Sequence, residues 1–159
     1  MMLDPNFARS VVLILAHDEE GTIGVILDRP TDDPVSAHLP TVAPVASFPE
    51  VVFSGGPVEP QVAVALGPVT LGTVGSIDDV ETLDLDEMPV GPVRVFAGYA
   101  GWSPGQLESE LEGDGWVVAK GEWDDIFTSD PDTLWSRVLK RQGGTIAMLA
   151  TFPLDPEMN

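Results

Sequence analysis

A chain of 159 residues with 43% apolar content and a mean hydropathy of +0.13 has material for one core; a single domain over 1–159 is expected, burying roughly 70% of the unfolded surface. With 26 acidic against 7 basic residues the net charge is −19, which repels phosphate backbones and anionic membranes. No cysteine is present, so disulfides, thiolate metal sites and cysteine nucleophiles are excluded. The opening MMLDPNFARS has no basic segment ahead of an apolar run and does not read as a signal peptide. The longest continuous apolar stretch, residues 11–16, is far too short to cross a bilayer. A cytoplasmic protein is the expectation.

In chain order, Ser10–Ala16 (SVVLILA) predicts a strand buried on both faces. HDEEG forms a polar break, and Thr22–Asp28 predicts the second strand of a hairpin. Residues 29–50 hold five prolines and predict a long irregular excursion, with a helical turn near Val35–Leu39. Residues 51–53, 61–67 and 69–76 predict strands, with SGGPVEP as the turn after the first of these. Residues 78–92 predict a short helix and a loop, VRVFAGYA a strand, GWVVAKGEW another, and DDIF a single turn. Ser129–Gly144 is the plainest helix: Asp130 can cap it, Pro131 suits the first turn, Leu134, Trp135, Val138 and Leu139 share a face, and Gly143 can end it. Arg137, Lys140 and Arg141 suit the negative end of its dipole. TIAMLAT, 145–151, predicts a closing strand. Many strands with two secure helices indicate an α+β domain.

Gly101-Trp102-Ser103-Pro104-Gly105 fits the G-x-S-x-G elbow of serine hydrolases. The elbow needs a backbone N–H from the residue after the nucleophile, and Pro104 has none. Both histidines, His17 and His38, precede Ser103, against the order of that fold. A structural reading accounts for more: Ser103 as N-cap, Pro104 at the first helical position, Gln106 completing a capping box, Trp102 and Leu107 as a hydrophobic staple.

Other clusters are weaker. His17-Asp18-Glu19-Glu20 reads as a solvated hairpin loop, with His17 as a general base in the alternative. Asp84-Leu85-Asp86-Glu87 lacks the EF-hand pattern. Gly55-Gly56-Pro57 could cradle an anion but lacks the Lys-Ser/Thr of a P-loop, and a tight turn is the simpler reading. Arg29 could meet a ligand carboxylate or phosphate. A structural ion pair with Asp28 or Asp32 is favoured.

The blocks DPNFARSVVLILAHDEEGTIGVILDRP, FSGGPV and GYAGWSPGQLESELEGDGW, in order from Asp4 to about Gly143, resemble the YqgE/AlgH family of bacterial proteins. The resemblance implies a compact α+β fold with a branched, partly barrel-like mixed sheet flanked by a few helices, a bacterial cytosolic origin, and the family's label of transcriptional regulator. It carries over no catalytic residue. Two departures stand out. The family usually opens with an apolar strand ending in Pro ahead of the DP-F motif, whereas this sequence opens at MMLDPNF, so an exposed edge able to pair with another chain is expected, a homo-oligomer among the outcomes. Asp28 stands where the family commonly has Asn.

The resulting expectation is a non-enzymatic regulatory or binding module, acting on transcription only indirectly, through a protein or small-molecule partner. No cofactor or metal is expected. The contact surface is expected at Asp28, Arg29, Gly55, Gly56, Trp102 and Gln106. A small carboxylate- or divalent-ion-dependent enzyme is the alternative. Direct DNA binding stands third, because few, scattered cations make no basic patch.

Overall fold

A computed structural model describes residues 7–68, 77–87 and 89–151. The strands are β1 (Val12–Asp18), β2 (Gly21–Ile26), β3 (Pro30–Pro34), β4 (Val51–Ser54), β5 (Val58–Pro68), β6 (Val80–Thr82) and β7 (Arg94–Trp102). The helices are α1 (Val35–His38), α2 (Gln106–Glu112), α3 (Trp123–Phe127), α4 (Leu134–Gln142) and α5 (Gly144–Leu149). The fold is α+β with one mixed sheet.

The sheet branches at β7. One edge of β7 takes β4 in parallel at Phe96 and Ala97, then β2 antiparallel at Ala100, Gly101 and Trp102. The other edge takes β5, which also carries β6. Two strands can share one edge because β4 stops where β2 begins. There the Ile26 N–H donates to the Gly55 carbonyl at 2.9 Å and the Gly55 N–H to the Ala97 carbonyl at 2.9 Å. The crossing admits no side chain: a Cβ on Gly56, whose φ is +152°, would lie 2.3 Å from the Tyr99 backbone.

Alternation along β7 divides the core between two faces. Phe96, with Phe53, Leu66 and Val25, packs under Ile126 of α3 and Leu134 and Val138 of α4. Val93 and Val95, with Ala65, pack against Val35 and Val42 of the α1 region. On the α3/α4 face lies Arg94, 1% exposed. Its Nε donates to the Ile126 carbonyl, Nη1 to those of Ser47 and Pro49, and Nη2 to those of Phe48 and Thr128, at 2.7–3.4 Å. The guanidinium stacks 4.3 Å from the Phe53 ring centroid. Burial lowers its pKa to about 10, so it stays charged at neutral pH.

Several expectations are corrected. β1 is half-buried, not buried on both faces, because it is an edge strand with β2 as its one partner among the described residues. Its hairpin extends into the polar break: His17 pairs with Thr22 and Asp18 with Gly21. The excursion at 29–50 contains β3, missed because Thr31, Asp32 and Asp33 carry no apolar alternation, although its helical turn is α1. Residues 78–92 hold a short 3-10 turn and β6 before their loop. Residues 115–122 join no ladder, and Val118 is 77% exposed. Residues 145–149 are helical: Ala147, Met148 and Leu149 favour helix, and a short apolar run has no period that separates the two states. The predicted strand at 69–76 lies outside the described residues. The plainest predicted helix holds, with its first turn as a 3-10 segment behind Asp130 and Gly143 at its end with φ +73°.

Candidate functional site

A groove of about 870 Å³ runs between the outer margin of β1 and residues 114–121, with mostly apolar walls. Local sequence builds it. β7 ends at Trp102, and α2 follows after a turn. Past α2 the Gly113 N–H donates to the Ser109 carbonyl and the Gly115 N–H to the Glu110 carbonyl, at 3.1 and 2.8 Å. These bonds close the helix end, with Asp114 at φ +57°. The chain therefore reverses and returns Trp116 to Trp102. The Trp102 and Trp116 rings meet edge-on at 6.0 Å, and Phe7 packs on both, at 6.0 Å and 5.4 Å. The three rings line the groove with Val12 and Ile14 of β1, Leu107 and Leu111 of α2, and Trp135 of α4. The Trp116 indole N–H is shielded from solvent and has no acceptor among the described residues. Arg9 lies over Trp135 at 4.6 Å.

The expected contact residues divide. Trp102 is 6% exposed and forms groove floor, not outer surface. Gln106 is exposed, at the start of α2. Asp28, Arg29 and Gly55 gather where β2 ends: Asp28 lies six residues beyond Thr22, the partner of Trp102, or about 20 Å along an extended chain. Gly55 and Gly56 are buried against β7, and with its N–H bonded to Ala97 Gly55 offers no free donor to an anion. Arg29 donates from Nη2 to the Ala8 carbonyl at 2.6 Å, and among the described residues it forms no ion pair, in place of the favoured pairing with Asp28 or Asp32. Asp28 accepts the Val11 N–H at 3.1 Å. Burial raises its carboxyl to about 6, against the Val11 N–H and the Arg29 charge, which pull it down. Asp28 and Arg29 thus hold residues 8–11, which lead into β1.

The Ser103 cap takes a different form. Helix α2 begins at Gln106 behind Gly105, at φ +77°, and not at Pro104. The Ser103 carbonyl accepts the Gln106 N–H at 3.0 Å, but its hydroxyl makes no bond to the helix backbone; instead the Gln106 Oε1 accepts both the Ser103 N–H at 3.0 Å and its hydroxyl at 3.1 Å. One half of the capping box is present. The other is lost because left-handed Gly105 turns the chain before the helix begins.

His17 does more than line a loop. Its Nδ1 bonds the Thr22 hydroxyl across the hairpin, and its Nε2 lies 3.0 Å from Glu108 on α2. Thr22 is 4% exposed, so this hydroxyl is not presented to a substrate. The contact ties the hairpin to α2. Among the described residues no three His, Asp or Glu side chains converge as metal ligands.

Most groove residues escaped the sequence reading. One signal was available: Trp102 and Trp116 bracket α2 symmetrically.

A family model described as AlgH-like matches residues 1–147. A UPF0301 protein of Streptomyces coelicolor is 43% identical over 173 aligned positions, covering 99% of this chain and 90% of that one. A UPF0301 protein of Thermobifida fusca is 42% identical over 179 positions, covering 100% and 90%. Among solved structures, the crystal structure of a Corynebacterium diphtheriae protein superposes with a TM-score of 0.86 at 31% identity, over 95% of this chain and 86% of that one. The solution structure of the AlgH protein from Pseudomonas aeruginosa gives 0.68 at 26%, over 96% and 88%.

Proposed function

Because the chain belongs to the AlgH-like family, whose matched relatives carry names that state no activity, we propose a function from the site itself: a non-enzymatic binding module of the bacterial cytosol that holds an apolar ligand in the groove beside β1. The observation that carries this reading is the groove of about 870 Å³ floored by Phe7, Trp102 and Trp116. That volume falls within the ordinary range of ligand sites, roughly 300–1,000 Å³, and such sites are mostly apolar with few polar groups.

The disposition of the cations argues against direct contact with nucleic acid. Arg94 is buried, Arg9 lies on Trp135, and Arg29 is bonded to Ala8. Arg137 donates to Thr128, Thr133 and the Asp130 carbonyl, and Arg141 to Asp125 and the Lys120 carbonyl. Lys120 and Lys140 do not make the basic stripe that phosphate binding needs. Any effect on transcription passes through a partner. The enzyme reading has less support, since His17 is engaged between Thr22 and Glu108.

The test is titration with Nile red, a neutral apolar fluorophore. Saturable binding with quenching of tryptophan emission is expected, lost in Val118→Glu while the urea melt of that variant matches wild type. No saturable binding with protein up to about 100 μM, a generous ceiling for a weak site, would sink the proposal.

A further inference from the structure

The glycines within strands are of two kinds. At Gly21, Gly24, Gly67 and Gly98 a Cβ would meet a backbone carbonyl oxygen at 2.6, 2.7, 2.8 and 2.6 Å, so packing forbids a side chain. Gly101 of β7 differs. A Cβ there would find one neighbour within 4 Å among the described residues, the Val58 Cγ2 at 3.7 Å, which is an ordinary contact. Its φ is not positive. Neither crowding nor backbone conformation asks for glycine at this position, although glycine weakens a strand interior. A bare strand position of this kind suits the close approach of another backbone or a ligand.

Gly101 faces away from the groove. The next residue, Trp102, forms the groove floor, and successive strand residues point to opposite faces. The register gathers its surroundings: Gly101 pairs with Ile23, and Ile23 with Ala16. Tyr99, two residues back, pairs with Val58. Ile23 is 43% exposed, and Ala16 and Gly101 are exposed as well, although β2 and β7 are interior strands of the sheet. Two exposed carboxylates frame this bare face. By alternation Asp18 lies on it beyond Ala16, at the end of the hairpin. Glu59 follows Val58, and its Oε2 accepts the Tyr99 hydroxyl at 3.1 Å. None of these residues is basic. Small-molecule sites are concave, whereas an open sheet face suits the surface of another protein.

We propose that this face docks a partner protein through an apolar side chain seated on Gly101 between Ile23 and Val58, with Lys or Arg on either side of it meeting Asp18 and Glu59. The glycine lets the partner come closer to the β7 backbone than any side chain would allow. Charge selects the partner: a basic rim complements the two carboxylates, while a second copy of a chain at −19 brings the same negative field and is repelled. The face is separate from the groove, and neither needs the other.

The probe is a short peptide with two leucines between pairs of arginines. One control exchanges the arginines for glutamates, the other the leucines for serines. Binding is read from the backbone amide shifts of the intact, isotope-labelled protein. Saturable shifts centred on Ile23, Tyr99 and Gly101 are expected at or below about 1 mM peptide, with both controls bound at least about ten-fold more weakly. Gly101→Val puts a branched side chain on the bare position, where its Cβ has room and strand geometry favours it. Its urea midpoint should equal or exceed that of wild type while peptide affinity falls about ten-fold or more. Glu59→Gln keeps an acceptor for Tyr99 and removes a charge, so it should weaken the peptide about two- to five-fold. A urea midpoint of Gly101→Val well below wild type would make the glycine structural and overturn the proposal. So would the absence of saturable shifts on this face up to about 1 mM, shifts centred on Trp116 instead, or equal binding of the glutamate control. A dimer of the free protein that Gly101→Val dissociates would overturn it too, by giving the face to a second copy.

Discussion

The α3/α4 face of the sheet has two margins, and they treat polar backbone in opposite ways. At one, Arg94 enters the core without a carboxylate partner and satisfies five carbonyls from residues 47–49, 126 and 128. At the other, Val12 and Ile14 leave their backbone groups facing a groove. The difference lies in where the chain supplies hydrogen-bond partners: the first margin is closed by loops that carry them, the second is bounded by residues 114–121, which join no ladder. Buried polar groups left unpaired are costly, so a margin of the first kind serves stability, and the second is the margin we propose for binding.

Substitutions along the two margins sharpen that contrast. The largest loss is expected from Arg94→Met, which fits the space but orphans the carbonyls: about 3–5 kcal/mol, the scale for breaking a buried charged network, read as a lower urea midpoint. Next is Asp125→Asn. Asp125 accepts from Arg141 at 2.7 and 3.0 Å and from the Glu122 N–H at 2.8 Å. Its neutralisation should cost about 2 kcal/mol, as for a charged hydrogen bond at a buried site.

Asp28 holds the start of β1 through the Val11 N–H, and its sign is opposite. The folded-state pKa is raised to about 6 from 3.8, so its favourable contribution is complete below 3.8 and is lost as pH rises through about 6. Asp28→Asn is therefore expected to be more stable than wild type at pH 7.5, by about 1–2 kcal/mol, and the difference should shrink on moving to pH 4.5. Urea melts at the two pH values check it; a difference independent of pH would remove Asp28 as the cause. Smaller still, Gln106→Ala should cost about 0.5 kcal/mol and Ser103→Ala less, because one carboxamide oxygen serves both Ser103 donors. The smallest stability effect belongs to Val118→Glu, within about 0.5 kcal/mol of wild type. A large loss there would break the comparison by showing that the groove wall is structural.

What was legible in the sequence follows the same division. The hairpin, β4, β7 and α4 announce themselves by local pattern, and Asp130, Pro131 and Gly143 mark the ends of α4 with its 3-10 first turn. β3 was invisible because its partner, β4, lies about twenty residues away and its own residues are polar. Residues 115–122 and 145–149 were misread because an apolar run states that a segment is sticky, not what it packs against. Of the residues expected to make contacts, the groove takes in Trp102 alone; the approach of Phe7 and Trp116 depends on the reversal at Gly113–Gly115, and no short window of sequence carries that. Arg94 was read as one more strand residue, since its acceptors are all backbone and leave no trace in side-chain identity.

Those acceptors lie 32 to 47 positions from Arg94 along the chain. Releasing either the 47–49 loop or the end of α3 strands the same desolvated charge, so neither can open alone without taking the other with it. One side chain thereby fuses an early and a late part of the polypeptide into a single cooperative unit.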